Sequence, residues 1–323
     1  MMQTLNAMMR HMVSQFGDME LYTAILIGAM IVVWTIGSLA NRQIANVAAT
    51  EMASTLSAQF AAPGSVAKES NSHFFLYSTG RARCSGAIVS LKLAPRQDFI
   101  SRFGVSWVWK SWYPKDRASV EIFDAEIDAA VTLFVCRKWQ MKALTEKIAE
   151  ISKFCKPSNG VLEGSGFGSF STSSLTGFTC LCDAGGKAAA SAIFPRLSIA
   201  ESVLRATESI YVSSESKSIK FDLESVPHTE TEWKELLEYA FAFLDALAAV
   251  KVSEAVRTEV TNQRSAEATK QAREAELAKR REELEKQKAD QLKSMSAAER
   301  EKLDEKRKLK ERKKNAKSGR VLL

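Results

Sequence analysis

The sequence predicts an α+β fold with a single N-terminal transmembrane helix, a cytosolic α/β domain with a mainly antiparallel sheet, and a long charged C-terminal helix. Three patterns support this: one long uncharged run, a repeated strand–strand–helix order, and a C-terminal region rich in charge but poor in large apolar residues. We therefore expect a short lumenal segment at 1–20, a transmembrane helix at 21–40, a juxtamembrane amphipathic helix and linker at 41–72, an α+β domain at 73–250, and a charged, coiled-coil-like helical tail with a basic tip at 251–323.

The transmembrane prediction rests on Leu21–Ala40, which contains no charged residue. Twenty helical residues span about 30 Å, the thickness of the hydrocarbon core, whereas a signal peptide has a shorter apolar run and a basic leader. One basic residue lies near each end of the run, Arg10 and Arg42, so the count of basic residues favours neither orientation. Asp18 and Glu20 on the N-terminal side, together with cysteines and no N-glycosylation sequon on the other, favour a lumenal N-terminus and a cytosolic domain.

Beyond the span, apolar residues continue in steps of three and four from Ile44 to Phe60. This spacing predicts that the helix leaves the membrane with one apolar stripe. Two interpretations remain open: the stripe packs on the domain, or it lies on the bilayer or on a neighbouring membrane protein.

The middle of the chain alternates strand and helix patterns from His73 to about Val226. The strand-like runs FFLYST and GAIVSLKL form one pair, and ASVEIFDA and AVTLFVCR form another. Short links between paired strands favour an antiparallel sheet. We also expect Lys138–Cys155 to form one amphipathic helix of about five turns, because its apolar residues recur on one face.

No pattern in this domain indicates catalysis or a cofactor. The glycine-rich stretch Gly164–Gly177 lacks the context and the G-K-[ST] ending of a phosphate-binding loop, and it is expected to be flexible. His73 and His228 have no nearby histidine partner, and the carboxylates at 124, 126 and 128 are explained by a turn. The five cysteines suit reduced, partly buried thiols and do not form a zinc motif. We therefore predict no enzyme activity, no cofactor and no metal site.

An aromatic stretch, WVWKSWY at Trp107–Tyr113, holds three of the six tryptophans. Core packing is one explanation. The alternatives are a position at the membrane interface, where such rings concentrate, or stacking on a partner.

The C-terminal region begins with a capping box, in which Thr229 caps the Glu232 N–H. The following helix is apolar nearly all round and should be buried. Beyond Lys251 the large apolar residues become too sparse for a two-stranded coiled coil, while pairs such as Glu276–Arg280 support a solitary helix. Residues 251–323 hold 22 basic and 14 acidic side chains, and Lys302–Arg320 alone has a net charge of +7. Such a tip is expected to bind a polyanion, either nucleic acid or an acidic membrane.

Three short motifs lie between residues 78 and 98. They are Ser-x-Gly-Arg with Gly80 and Arg81, Cys-x-Gly with Cys84 and Gly86, and the triplet of Arg96, Gln97 and Asp98. These motifs resemble the coiled-coil-domain-containing protein 47 (calumin) family. The segments at 131–155 and 208–213 and the basic C-terminal helix follow in the same order. The resemblance implies a single-pass endoplasmic reticulum protein that joins an Asterix-type small membrane protein in the PAT complex. That complex works at ribosome-bound Sec translocons and shelters nascent multipass membrane proteins.

On this resemblance the basic tail is expected to dock on ribosomal RNA, and motif residues are expected to serve structure or partner contact. The tail's cations can neutralise phosphates without reading sequence, and they are Lys306, Arg307, Lys308, Lys310, Arg312, Lys313, Lys314, Lys317 and Arg320. The alternative is a membrane-tethered scaffold whose tail binds anionic lipid. The long acidic segment that precedes the span in animal members does not match the roughly twenty residues here, so calcium binding is not carried over, and the Trp-rich stretch also does not match the family pattern.

Overall fold

The computed structural model describes residues 18–99, 101, 114–162, 167 and 177–294. The described residues up to Thr261 belong to one compact unit, and those from Asn262 onward belong to a second. The helices are α1 (Asp18–Gln59), α2 (Met141–Lys147), α3 (Ala149–Phe154), α4 (Ala184–Ile193), α5 (Glu201–Ala206), α6 (Glu230–Ala249) and α7 (Glu254–Ser294), with short 3-10 turns at Lys138–Gln140 and Asn159–Leu162. The strands are β1 (Val66–Lys68), β2 (His73–Thr79), β3 (Gly86–Lys92), β4 (Arg117–Phe123), β5 (Leu133–Arg137), β6 (Lys156–Pro157), β7 (Phe178–Cys182), β8 (Thr207–Ser213) and β9 (Ser218–Leu223).

In the described part of the chain, one sheet has the order β1-β2-β3-β4-β9-β8-β5-β7-β6, and its pairings are antiparallel. Buried and half-exposed residues alternate along β2, β3 and β4, as β4 shows with Ala118, Val120 and Ile122 buried, whereas β5, β7 and β8 are buried at almost every position. This period of two is the signature of a strand with one covered face. The α+β class and the mainly antiparallel sheet are therefore confirmed. The predicted pairing of ASVEIFDA with AVTLFVCR is wrong, because β9 and β8 lie between β4 and β5 in the sheet.

Helix α1 is continuous over 42 residues, and its side chains are mostly exposed in the first half and partly buried against the domain in the second. Within the described residues it is the one helix that is long and apolar enough to cross a membrane. Most of its side chains from Tyr22 to Ile36 are exposed. After Asn41 a stripe packs on the domain, with Met52, Leu56 and Phe60 buried and the Phe60 ring 5.3 Å from that of Phe241. This part of the stripe agrees with the first of the two interpretations.

Helix α6 forms the centre of the core beneath the sheet. Its residue Trp233 is fully buried, and the Phe243 ring contacts that of Phe221 at 5.9 Å. The predicted cap is present, because the Thr229 hydroxyl accepts from the Glu232 N–H at 3.2 Å. The Glu232 carboxylate reaches back to the His228 N–H, one residue before the expected position.

The prediction of one helix over Lys138–Cys155 is wrong. The backbone is extended at Ile148, between α2 and α3. The carboxylate of Glu150 in the first turn of α3 accepts hydrogen bonds from Tyr211 at 2.5 Å, Ser213 at 2.8 Å and Thr132 at 3.1 Å. These bonds hold α3 on the outer face of β5 and β8 and bury Ile151, which a straight helix continuing α2 would not achieve.

The second compact unit contains the described part of α7 from Asn262 onward. The Glu276 and Arg280 side chains form the predicted ion pair at 3.6 Å, and Leu277 and Leu284 are both more than half exposed. An exposed ion pair of this kind contributes about 0.2–0.5 kcal/mol to a helix. The basic tip from Lys302 lies outside the described residues.

Candidate functional site

The end of the predicted span meets the domain at a buried polar residue, Asn41. Its side chain is completely buried. The amide nitrogen donates to the carbonyl oxygens of Asn71 at 2.9 Å and Ala94 at 3.0 Å and to the Gln97 side chain at 3.2 Å. The amide oxygen accepts from the Arg96 guanidinium at 2.9 Å. Asn41 thus joins α1 to the segment that follows β3, with its donors and acceptor satisfied.

A bidentate ion pair continues this network. The Arg96 guanidinium donates to both carboxylate oxygens of Asp116, at 2.9 and 2.6 Å, and the Ala94 N–H donates to the same carboxylate at 2.7 Å. Burial alone would raise the pKa of Asp116, but the hydrogen bonds from Arg96 and Ala94 hold it below its ordinary value. The carboxylate is therefore ionised at neutral pH and fixes Arg96 against Asn41. We call Asn41, Arg96 and Asp116 the membrane-proximal node.

Next to the membrane-proximal node, α1 lies so close to the backbone of Arg96 and Gln97 that position 37 requires glycine. A Cβ on Gly37 would lie 2.3 Å from the Arg96 carbonyl oxygen and 2.5 Å from the Gln97 nitrogen. Real Cβ atoms do not approach backbone so closely, so a side chain there would push the helix off the domain. Arg96 and Gln97 form a turn, and Asp98 is exposed and accepts from the Ser101 hydroxyl.

The other motif residues lie around the far end of α1. The Arg81 guanidinium donates to Asp245 of α6 at 2.7 Å and to Gln59 at the end of α1, and it lies 4.9 Å from the centre of the Phe241 ring. Its neighbour Gly80 has a φ of 89°, a left-handed conformation that favours glycine. Arg81 therefore joins the end of α1 to α6, and we call this second contact the membrane-distal clamp.

The Cys-x-Gly motif lies beside the clamp, in the turn before β3. Cys84 is half-buried and free, and burial raises the pKa of its thiol, so it is a poor nucleophile at neutral pH. A Cβ on Gly86 would lie 2.8 Å from the Ser78 carbonyl oxygen on the neighbouring strand. Both features suit packing in the β2–β3 hairpin.

The remaining candidates from the sequence are the possible metal ligands, the carboxylates near residues 124–128 and the glycine-rich stretch. The described residues contain no group of three or more His, Cys, Asp or Glu side chains that could hold a metal. Asp128 accepts two hydrogen bonds from Arg257, at 3.0 and 2.7 Å, and Asp124 has a positive φ of 47° in its turn. In the glycine-rich stretch, Phe167 is buried 5.0 Å from the Phe178 ring.

The predicted tail site and the aromatic stretch Trp107–Tyr113 lie outside the described residues. So do the nine tail cations, which are Lys306, Arg307, Lys308, Lys310, Arg312, Lys313, Lys314, Lys317 and Arg320. The seven motif residues are all described, and they divide between the node and the clamp region. Their part in partner contact stays a prediction.

The sequence reasoning missed Asn41, Gly37 and Asp116. A signal was available for Asn41, because it is a polar residue directly after an uncharged run of twenty. Gly37 and Asp116 had no local signal, since their roles depend on residues that are distant in the chain.

The fold and the node define a class of protein: an α+β protein whose domain is attached along one long helix, and the N-terminal part of that helix is apolar enough to cross a membrane. The family model described as PAT complex subunit CCDC47 matches residues 18–314, nearly the whole chain, and the chain belongs to this family. A search of the curated proteins found no match. The predicted family resemblance is confirmed.

Family membership supports a role in membrane-protein biogenesis within a complex of partner subunits, and it points to a non-enzymatic role. The apolar helix at the N-terminal end and the family together fit an endoplasmic reticulum membrane protein.

Proposed function

We propose that this protein is a non-enzymatic biogenesis factor that associates with the ribosome and the Sec translocon and assists insertion and folding of multipass membrane proteins. The match to the PAT complex subunit family over residues 18–314 carries the proposal. In this proposal the N-terminus is lumenal and the domain is cytosolic. Its partners are an Asterix-type small membrane protein, the translocon, ribosomal RNA, nascent multipass proteins and the lipid bilayer.

The attachment of α1 to the domain supports such a role. The node and the clamp hold the same helix at two levels, Asn41 and Gln59, which are about 27 Å apart along a helix rising 1.5 Å per residue. A domain attached along that length is held at a defined position above the membrane. That suits a subunit that presents surfaces to both a membrane partner and a ribosome.

The composition of the tail favours RNA over lipid. Lys302–Arg320 has a net charge of +7, with Leu303 and Leu309 as its only large apolar residues. Phosphate contacts of this kind need no base-specific residues and weaken steeply with salt. Tight lipid binding would require apolar anchors in addition to about 1 kcal/mol per cation, and the tail has few.

Deleting Lys302–Leu323 tests the ribosome contact. We expect binding to ribosomes in co-sedimentation at low salt to fall by at least about tenfold, and wild-type binding to fall with increasing salt. A matched variant carries alanine at Leu303 and Leu309 and keeps the cations. It should pellet with ribosomes like the wild type.

Two results would contradict the tail's role: unchanged ribosome binding after the deletion, or flotation of the isolated tail with anionic vesicles together with no ribosome binding. The second result would favour the tethered scaffold. Protease protection on sealed microsomes tests the orientation, and a lumenal C-terminal half would remove the ribosome from reach.

A further inference from the structure

A cavity of about 350 Å³ opens beside α1, just beyond the predicted span. Its apolar walls include Ile44 and Val47 from α1 and Val226 and Pro227 from the segment before α6. Val47 is 48% exposed, so the cavity can be entered from the side of the helix. Glu51 lines the cavity farther along α1.

The depth of the cavity restricts what can occupy it. At 1.5 Å per residue, Ile44 lies about 6 Å beyond Ala40 and Glu51 about 16 Å beyond it. The headgroup layer on one side of a bilayer is only about 5–8 Å thick. The entrance is therefore level with the headgroups, whereas Glu51 lies above them. A lipid amine would have to leave the headgroup layer to reach this carboxylate.

The charge around Glu51 favours a cation. Burial raises the pKa of Glu51; among the neighbouring charges, that of His228, which also lines the cavity, lowers it most, and those of Glu230 and Glu232 raise it. Glu51 forms no salt bridge within the described residues. Arg96 also lines the cavity, but its guanidinium is held by Asp116. A positive group would relieve the crowding of carboxylates.

We propose that this cavity receives a Lys or Arg side chain located about two helical turns beyond the cytosolic end of a transmembrane helix of a neighbouring membrane protein. The positive-inside rule places such residues within about 15–20 residues of the span ends in the protein class that the proposed function assigns as clients. The apolar walls accept the methylene stem of the side chain, and Glu51 accepts its charged head. This inference rests on the cytosolic orientation and the clients of the proposed function.

A groove at membrane depth provides a place for the apolar part of the same helix. It has a volume of about 510 Å³, and its α1 wall consists of Ile27, Met30, Ile31 and Trp34. These residues precede the cavity residues on the same helix by roughly ten to twenty positions, and Gln97 and Asp98 border the groove. An apolar helix in the groove would carry its flanking cation toward Glu51.

The test uses the full-length protein in nanodiscs with a photo-crosslinking residue in place of Val47. The probe is a synthetic helix of about 20 apolar residues, long enough to span the bilayer. The apolar run is followed by about two polar helical turns that end either in two lysines or in two glutamines, so that the charged heads can reach the level of Glu51. We expect the lysine peptide to crosslink several-fold more than the glutamine peptide. Glu51→Lys should reduce the lysine-peptide crosslink by roughly fivefold, as expected when a partly screened ion pair becomes a repulsion.

Glu146→Lys is the matched charge control, because Glu146 is exposed on α2 and does not line the cavity. Glu51→Gln adds a variant of nearly unchanged shape, and thermal unfolding checks that each variant folds. Equal crosslinking of the two peptides, or no effect of Glu51→Lys, would overturn the proposal. So would a crosslink that depends on Glu51 and on added phosphatidylethanolamine but not on the peptide lysines. No ribosome is present, so failure here is distinct from failure of tail-dependent ribosome binding.

Discussion

Replacing Asn41 with leucine should detach the membrane helix from the domain at the node. Leucine has the same number and branching of side-chain heavy atoms as asparagine, although its methyl groups are bulkier, so the change mainly removes hydrogen bonds. In the wild type, the side-chain amide of Asn41 forms hydrogen bonds with the carbonyl oxygens of Asn71 and Ala94, the Gln97 side chain and the Arg96 guanidinium. All four groups lose a partner at once.

The structure allows an estimate of the cost. The Ala94 carbonyl is in a buried contact and is left with one partner fewer, and a buried polar group left unsatisfied costs about 1–3 kcal/mol. The bond from Arg96 is charge-assisted and contributes about 1.5–3 kcal/mol, although Asp116 continues to hold the guanidinium. Asn71 and Gln97 are partly exposed and can form hydrogen bonds with water in place of those they lose. We therefore expect Asn41→Leu to lower the free energy of unfolding by about 3–4 kcal/mol.

Thermal unfolding of the purified protein in nanodiscs measures this. With roughly 2–4 °C per kcal/mol for a domain of this size, the midpoint should fall by about 6–16 °C. Thr35→Val is the matched control, because the Thr35 hydroxyl bonds only the Val32 carbonyl of its own helix, at 2.9 Å, and is exposed. That control should stay within about 0.5 kcal/mol of the wild type. A shift for Asn41→Leu no larger than that of the control would refute the role assigned to the node.

Three further changes test the attachment of α1. Gly37→Ala should cost about 1–3 kcal/mol because the new Cβ meets backbone at 2.3 Å, whereas Gly28→Ala, with nothing within 4 Å, should leave the melting midpoint almost unchanged. Arg81→Met should lower the free energy of unfolding by about 2 kcal/mol through loss of a charge-assisted hydrogen bond. Arg83→Met should cost less than about 1 kcal/mol, since that side chain is 44% exposed; equal losses in urea unfolding would argue against the clamp. Burial alone would raise the pKa of Asp116, but its hydrogen bonds hold that pKa below the ordinary value of 3.8. The stability that the ionised carboxylate contributes is therefore present above pH 3.8 and is lost as the pH falls through the lower pKa of the folded protein. The difference in melting midpoint between wild type and Asp116→Asn should therefore shrink on acidification below pH 3.8, and a constant difference would contradict this assignment.

Local patterns were sufficient for many of the individual elements, although not for the region Lys138–Cys155. The uncharged run that predicts the span, the alternation in the strands and the cap at Thr229 each depend on residues within one element or one turn of it. Neighbouring residues decide hydrogen bonding and side-chain direction over such short distances. The family resemblance also came from short motifs, Gly80–Arg81 and Arg96–Asp98 among them, although their contacts could not be read from those motifs.

The sequence by itself determined that one helix is apolar enough for a membrane, that the domain is built on paired strands, and that the positive charge is concentrated at the C-terminal end. Only the tertiary structure decided that Asn41, Arg96 and Asp116 meet. Asn41 lies 55 residues from Arg96 in the chain, and Arg96 lies 20 residues from Asp116. It also decided that the helix breaks at Ile148, because Glu150 finds its donors on β8 and before β5. Propensity acts along the chain, whereas a buried polar group must find its partner wherever the fold places one.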